Sequence, residues 1–181
     1  MSRNDDAHAT QGEALRLDRG IQALVSVSTM QSPIRELPPS AYDNLLIVSA
    51  SAPEDVAETL STAGATLSSV GHIPISGSET DYGGPMWVCD TLVPDDLTGL
   101  SMRLSRAFEA LDDGLGWVLF DNLNVFLMYA TEERVVRFLD HTTTQAREHG
   151  LCGVYGLVRD AVDEPTYARL RRCVDTELDL R

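Results

Sequence analysis

The chain has 181 residues and a net charge of −14, from 28 acidic residues against 14 basic residues, and every basic residue is arginine. This length suits one domain, and no apolar stretch approaches the roughly 20 residues that a membrane span needs. The first residues lack the basic and apolar regions of a signal peptide, so we expect a cytoplasmic protein with no membrane partner. The three cysteines are widely spaced, which indicates buried thiols rather than a metal or redox motif.

The charge pattern indicates adaptation to concentrated salt. Acidic residues are scattered along the chain and lysine is absent. Self-repulsion at this net charge is heavy in dilute buffer, whereas a Debye length of about 3 Å at 1 M salt screens most of it. An acidic protein from an ordinary cytoplasm is the alternative. If the salt interpretation holds, the net charge says little about partners.

The first 40 residues are predicted to lie outside the main domain. Residues 1–14 are polar and acidic, as in disordered segments. Residues 15–25 carry the apolar positions of a short amphipathic helix, and residues 26–40 hold three prolines and several serines, typical of an extended connection. We therefore predict a flexible or partly helical extension over residues 1–40 and a globular domain over residues 41–181.

Buried strands alternate with amphipathic helices along the rest of the chain. Strands are predicted at Asn44–Ser49, Leu67–Ser76, Met86–Leu92, Trp117–Phe120, Gly153–Val158 and Thr176–Leu180. Helices are predicted to begin near Ser51, Asp96, Thr131 and Asp163, and Gly64, Gly114 and Gly150 are predicted to end the first three. This alternation predicts an α/β fold with three αβα layers, in which helices cover both faces of a mostly parallel sheet.

A degenerate ligand site is predicted at the carboxyl ends of the strands, where open α/β sheets bind ligands. Asp121 and Asn122 directly follow the apolar strand Trp117–Phe120. The first predicted strand-to-helix turn, at residues 49–55, has neither glycine nor lysine, and Ser51 and Glu54 have the spacing of a capping box that places Glu54 where an anion would bind. We expect Asp121 to be hydrogen-bonded to this turn; a Mg²⁺ ligand is the alternative.

Other candidate residues carry weaker signals. Arg169, Arg171 and Arg172 form a basic cluster on the last predicted helix. The cluster could contact phosphate or an acidic partner, and a solvated, salt-bridged face is the alternative. The four histidines show no spacing suited to a metal. We predict no catalytic residue, no metal and no cofactor.

Four segments in this order resemble the RecA/KaiC-like ATPase domain: NLLIVSAS, VPDDLTGLSMRLSRAFEAL, GWVLFDNLNVFLMYATEERVVRFLDHTTTQAREHG and GVYGLVRDAVDEPTYARLRRCVDTELDL. The resemblance covers about residues 42–181 and includes small haloarchaeal relatives that are often labelled signal-transduction or RecA-superfamily proteins. Its most specific parts are Asp96–Leu100, Asp121–Tyr129 and Arg137–Leu139.

The resemblance implies a RecA-like fold but does not imply ATPase activity. The Walker B acid of the family carries over onto Asp121, whereas the Walker A loop is absent and residues 72–79 offer no counterpart of the catalytic acid. We expect a non-catalytic regulatory or signal-transduction module with a protein partner. A DNA-associated regulator and a residual nucleotide-binding protein or ATPase are the alternatives. The family often forms rings, so a homo-oligomer stays open.

Overall fold

A computed structural model describes residues 15–111 and 115–181 of the chain. The strands in these residues are β1 Gln22–Val27, β2 Leu45–Ser49, β3 Val70–Pro74, β4 Trp87–Val88, β5 Trp117–Phe120, β6 Cys152–Val158 and β7 Thr176–Asp179. These seven strands are parallel and form one sheet in the order β4-β3-β2-β5-β6-β1-β7. The α-helices are α1 Pro53–Thr62, α2 Leu97–Ala110, α3 Asn124–Tyr129, α4 Glu132–Glu148 and α5 Glu164–Arg171.

Helices cover both faces of the sheet. On one face, Val48 and Phe120 belong to a buried apolar cluster that includes the inner sides of α2 and α4. On the other face, Ile47 packs with α1 and with two short 3-10 helices, Pro33–Glu36 and Pro39–Asp43. The predicted α/β fold with three layers and a parallel sheet is therefore confirmed.

Several predicted helix ends agree with the structure. The side chain of Asp163 accepts a hydrogen bond from the N–H of Thr166 at 2.9 Å and caps α5. Gly64 and Gly150 directly follow the C-caps of α1 and α4, with φ angles of 85° and 66° that favour glycine. Gly114, predicted to end α2, lies outside the described residues, as does the disorder predicted for residues 1–14.

The helix predicted over residues 15–25 is wrong, because residues 22–27 form β1. This strand lies between β6 and β7 and pairs with both. All six of its residues are buried, so its apolar side chains serve both layers and show no alternation in the sequence. The extension predicted over residues 1–40 therefore contributes a strand to the sheet, and the domain begins well before residue 41.

The capping box predicted at Ser51 and Glu54 is also wrong. The helix α1 begins at Pro53, and its N-cap residue, Ala52, makes no side-chain hydrogen bond. Proline suits the first helical position because its missing N–H would be unpaired there in any case. The proline thus fixes the N-cap one residue after Ser51, out of register with the capping pattern.

The packing around β5 gives a stability prediction. Phe120 is fully buried, and its ring centroid lies 5.3 Å from that of Tyr155 and 6.0 Å from that of Phe138. We expect Phe120→Ala to lower the free energy of unfolding by about 3–5 kcal/mol, because it leaves a cavity between the sheet and α4. Denaturant unfolding in concentrated salt measures the change.

The matched control for this prediction is Tyr129→Ala. The Tyr129 side chain is 59% exposed, so its removal should change the free energy of unfolding by less than about 0.5 kcal/mol. Equal losses for the two variants would contradict the packing described for Phe120.

Candidate functional site

The first strand-to-helix connection of the sheet is the loop Ser28–Ser32, which we call the first loop. It follows β1 and leads into the 3-10 helix Pro33–Glu36. The sequence analysis placed the first connection at residues 49–55, after β2, because it did not recognise β1 as a strand. This position matters because P-loop proteins bind phosphate with a loop that follows a strand and opens a helix.

The carboxylate of Asp121 joins three strand ends. It accepts a hydrogen bond at Oδ1 from the Ser32 hydroxyl at 2.6 Å, and one at Oδ2 from the Ser49 hydroxyl at 3.2 Å. The Ser49 hydroxyl in turn accepts the N–H of Ser51 at 3.0 Å. We call Ser32, Ser49 and Asp121 the serine–aspartate bridge. It links the first loop, the end of β2 and the end of β5 across 89 residues of sequence.

The first loop is closed by one of its own side chains. The Gln31 amide oxygen accepts the N–H of Ser28 at 3.0 Å, and its amide nitrogen donates to the carbonyl of Leu180 at 3.1 Å. Met30 has a φ of 71°, a conformation in which phosphate loops use glycine. The loop therefore has methionine and glutamine where a phosphate loop needs glycine and lysine, and the N–H groups of Ser28 and Gln31 are already paired within the loop.

A cavity of about 640 Å³ opens beside the first loop. Residues of the first loop line it together with Arg35, Glu36 and Arg181. Arg181 forms ion pairs with Asp160 and Asp179 at 3.0 and 2.7 Å. The hydrogen bonds and charges of Asp179 and Asp160 raise the pKa of Arg181 above its ordinary value. The positive charge of this guanidinium is therefore balanced by the two carboxylates.

The structure separates the four residues predicted as a degenerate nucleotide site. Ser51 reaches the serine–aspartate bridge through its backbone N–H, while Glu54 is exposed in the first turn of α1. The Asn122 side chain accepts the N–H of Asn124, the first residue of α3, at 2.9 Å. Only Asp121 contributes a side chain to the cluster at the strand ends.

Asn124 and Gly156 hold the end of β5 against β6, and the sequence analysis missed both. The Asn124 amide accepts the N–H of Val158 at 2.8 Å and donates to the Val158 carbonyl at 3.2 Å, as a neighbouring strand would. A Cβ added at Gly156 would lie 2.3 Å from the carbonyl oxygen of Asp121. The available signal was a polar Asn124 within an otherwise apolar run.

The predicted arginine cluster is mostly engaged in ion pairs. Arg169 contacts Glu132 at 3.1 Å and Arg171 contacts Glu177 at 3.1 Å, whereas Arg172 has no ion pair in the described part of the chain. Two of the three arginines therefore lie on a salt-bridged surface.

The described residues contain neither a metal-binding cluster nor a membrane-spanning helix. No group of histidine, cysteine, aspartate or glutamate side chains suited to a metal ion occurs in residues 15–111 and 115–181. None of the helices in the same residues has the length and apolar character required to cross a membrane.

The parallel sheet and its strand-end aspartate give the chain a RecA/KaiC-like α/β fold. The crystal structure of the KaiC-like protein PH0186 from the hyperthermophilic archaeon Pyrococcus horikoshii matches 90% of this chain and 73% of that chain, with a TM-score of 0.61 and 11% sequence identity. The chain belongs to a family of unknown function (DUF7504), whose model matches residues 25–180. No curated protein matches the chain. At this identity, the likeness to PH0186 shows the fold alone.

A buried histidine gives a prediction for the pH dependence of stability. His72 in β3 is fully buried, and neither ring nitrogen has a hydrogen-bonding partner in the described residues. Burial lowers the pKa of His72 to about 4, and the backbone of Ser49 opposes the shift only in part. Because the unfolded chain binds the proton more readily, stability contributed by neutral His72 is lost as the pH falls from about 6.5 to about 4.

The variant His72→Leu isolates this contribution. We expect it to remove a pH-dependent loss on the order of 3 kcal/mol between neutral pH and pH 4, and to leave stability at neutral pH equal or higher, because no hydrogen bond is broken. Unfolding free energies of the two proteins across this pH range test the prediction. Parallel pH profiles for both proteins would contradict it.

Proposed function

We propose that this protein is a non-catalytic RecA/KaiC-like domain that acts as a regulatory or signal-transduction module in the cytoplasm of a salt-adapted cell. It does so by contact with a protein partner. The observation that carries the proposal is the first loop, Ser28–Ser32, which lacks the groups that bind a phosphate chain. Assembly with further copies of the chain is compatible with this role.

Nucleotide binding requires groups that the first loop does not provide. A phosphate loop uses free backbone N–H groups and a lysine that neutralises the outer phosphates. In the first loop the N–H of Ser28 is bonded to Gln31, which carries no charge, and the whole sequence contains no lysine. Ser32 and Asp121 alone would suit a Mg²⁺ ion, but the phosphates that such an ion accompanies have no loop to hold them.

One observation favours a second candidate, a residual nucleotide-binding protein. The first loop is followed by Arg35, which lines the cavity of about 640 Å³ and could supply positive charge in place of lysine. Arg35 is exposed, and no ion pair to it occurs among the described residues. Glu36 lines the same cavity and reduces its attraction for a polyphosphate, so this candidate is the weaker one.

The third candidate, a DNA-associated regulator, depends on the arginine cluster. Because Arg169 and Arg171 already pair with Glu132 and Glu177, the cluster offers little free positive charge. The net charge of −14 also opposes binding to a polyanion. We therefore rank this candidate below the interaction module.

Titration of the protein with Mg-ATP separates these candidates. By calorimetry in concentrated salt, we expect no binding in the micromolar range and no ATP hydrolysis above background, because no charged loop receives the phosphates. Micromolar binding that Arg35→Ser abolishes, and that the exposed control Arg172→Ser leaves intact, would refute the proposal and establish the nucleotide-binding alternative.

A further inference from the structure

A groove of about 730 Å³ lies between α2 and the edge strand β4, away from the strand ends that carry Asp121. Its floor is formed by Leu45, Leu46 and Gly71, and Ala107 lines it from α2. Trp87 forms the opposite side and is 55% exposed. A Cβ added at Gly71 would lie 3.1 Å from Cε3 of Trp87, so the glycine allows the indole to lie directly on β3.

Among the described residues that line this groove, positive charges outnumber negative ones, unlike in the chain as a whole. Acidic residues outnumber arginines two to one in the whole chain, 28 against 14. The described residues that line the groove include Arg103 and Arg106 and a single acid, Asp90. Arg103 is fixed by donation to the carbonyl of Asp90 at 2.6 Å. Arg106 is exposed and has no hydrogen bond or ion pair among the described residues.

An exposed tryptophan beside an unpaired arginine is typical of the residues that dominate binding at protein interfaces. An extended chain also fits the edge of the sheet. Within residues 15–111 and 115–181, β4 is the last strand in the sheet order and pairs with β3 on one side only. Its outer edge therefore presents main-chain groups to an added segment.

We propose that this groove is the docking site for an extended segment of a partner protein that carries apolar side chains interleaved with aspartate or glutamate. The apolar side chains would pack on Trp87 and the floor of the groove, and a carboxylate would pair with Arg106. This inference rests on the interaction role proposed above and assigns that role a surface and a partner chemistry. A nucleic acid fits less well, because it would present charge without apolar groups to the floor.

Two synthetic peptides test the proposal on the full-length protein in concentrated salt. Both carry leucine at alternate positions, and the remaining positions hold glutamate in one peptide and lysine in the other. We expect the glutamate peptide to bind and to change the emission of Trp87, a change absent in Trp87→Phe. We expect Arg106→Ser to weaken this binding by about tenfold or more, and Arg172→Ser to leave it unchanged. Circular dichroism verifies that each variant is folded.

Three results would overturn the proposal: no binding of the glutamate peptide up to millimolar concentration, equal binding of the lysine peptide, or unchanged binding to Arg106→Ser. Light scattering adds a fourth such result: a dimer that dissociates in Trp87→Ala would show that a second copy of the chain, and not a partner segment, covers the groove.

The Mg-ATP titration is independent of this surface. Absent binding of both ATP and peptide would reject the groove and leave the interaction role standing, whereas micromolar ATP binding would reject the role itself.

Discussion

The carboxylate of Asp121 is the contact on which the arrangement at the strand ends depends. It bonds Ser32 after β1 and Ser49 at the end of β2, so a single side chain fixes three segments that are distant in sequence. The backbone after it is fixed as well, because the N–H of Leu123 donates to the carbonyl of Gly156 at 2.8 Å. The position at which related folds bind a ligand is here a cross-link between strands.

The packing of this fold does not depend on a bound nucleotide. The sheet is covered by apolar clusters on both faces, and burial of apolar surface requires no nucleotide. At the carboxyl ends of the strands, the Ser32 hydroxyl donates to Asp121 and the Gln31 amide accepts the N–H of Ser28, so these polar groups are satisfied within the chain. In the proposed function, the groove beside Trp87, where apolar side chains lie next to Arg103 and Arg106, is the surface that a partner would contact.

The sequence predicted the elements whose signals are local. The strand β2 is a continuous apolar run, and α2 and α4 carry apolar residues at helical spacing, so their periodicity identifies them. The strand β1 contains the buried polar residues Gln22 and Ser26, which obscure a strand pattern. The Gln22 side-chain oxygen accepts a hydrogen bond from the hydroxyl of Tyr155, which lies 133 residues later in the sequence. The Ser32–Asp121 contact spans 89 residues, and a single sequence does not reveal such long-range pairings.

The most direct test of this account is a double-mutant cycle between Ser32→Ala and Asp121→Ala, measured as free energies of unfolding with EDTA and again with Mg²⁺. A hydrogen bond to a charged group predicts a coupling of about 1.5–3 kcal/mol, and the account requires the same coupling in both conditions. A coupling that is absent with EDTA and appears only with Mg²⁺ would contradict it, because Asp121 would then act as a metal ligand rather than as a cross-link.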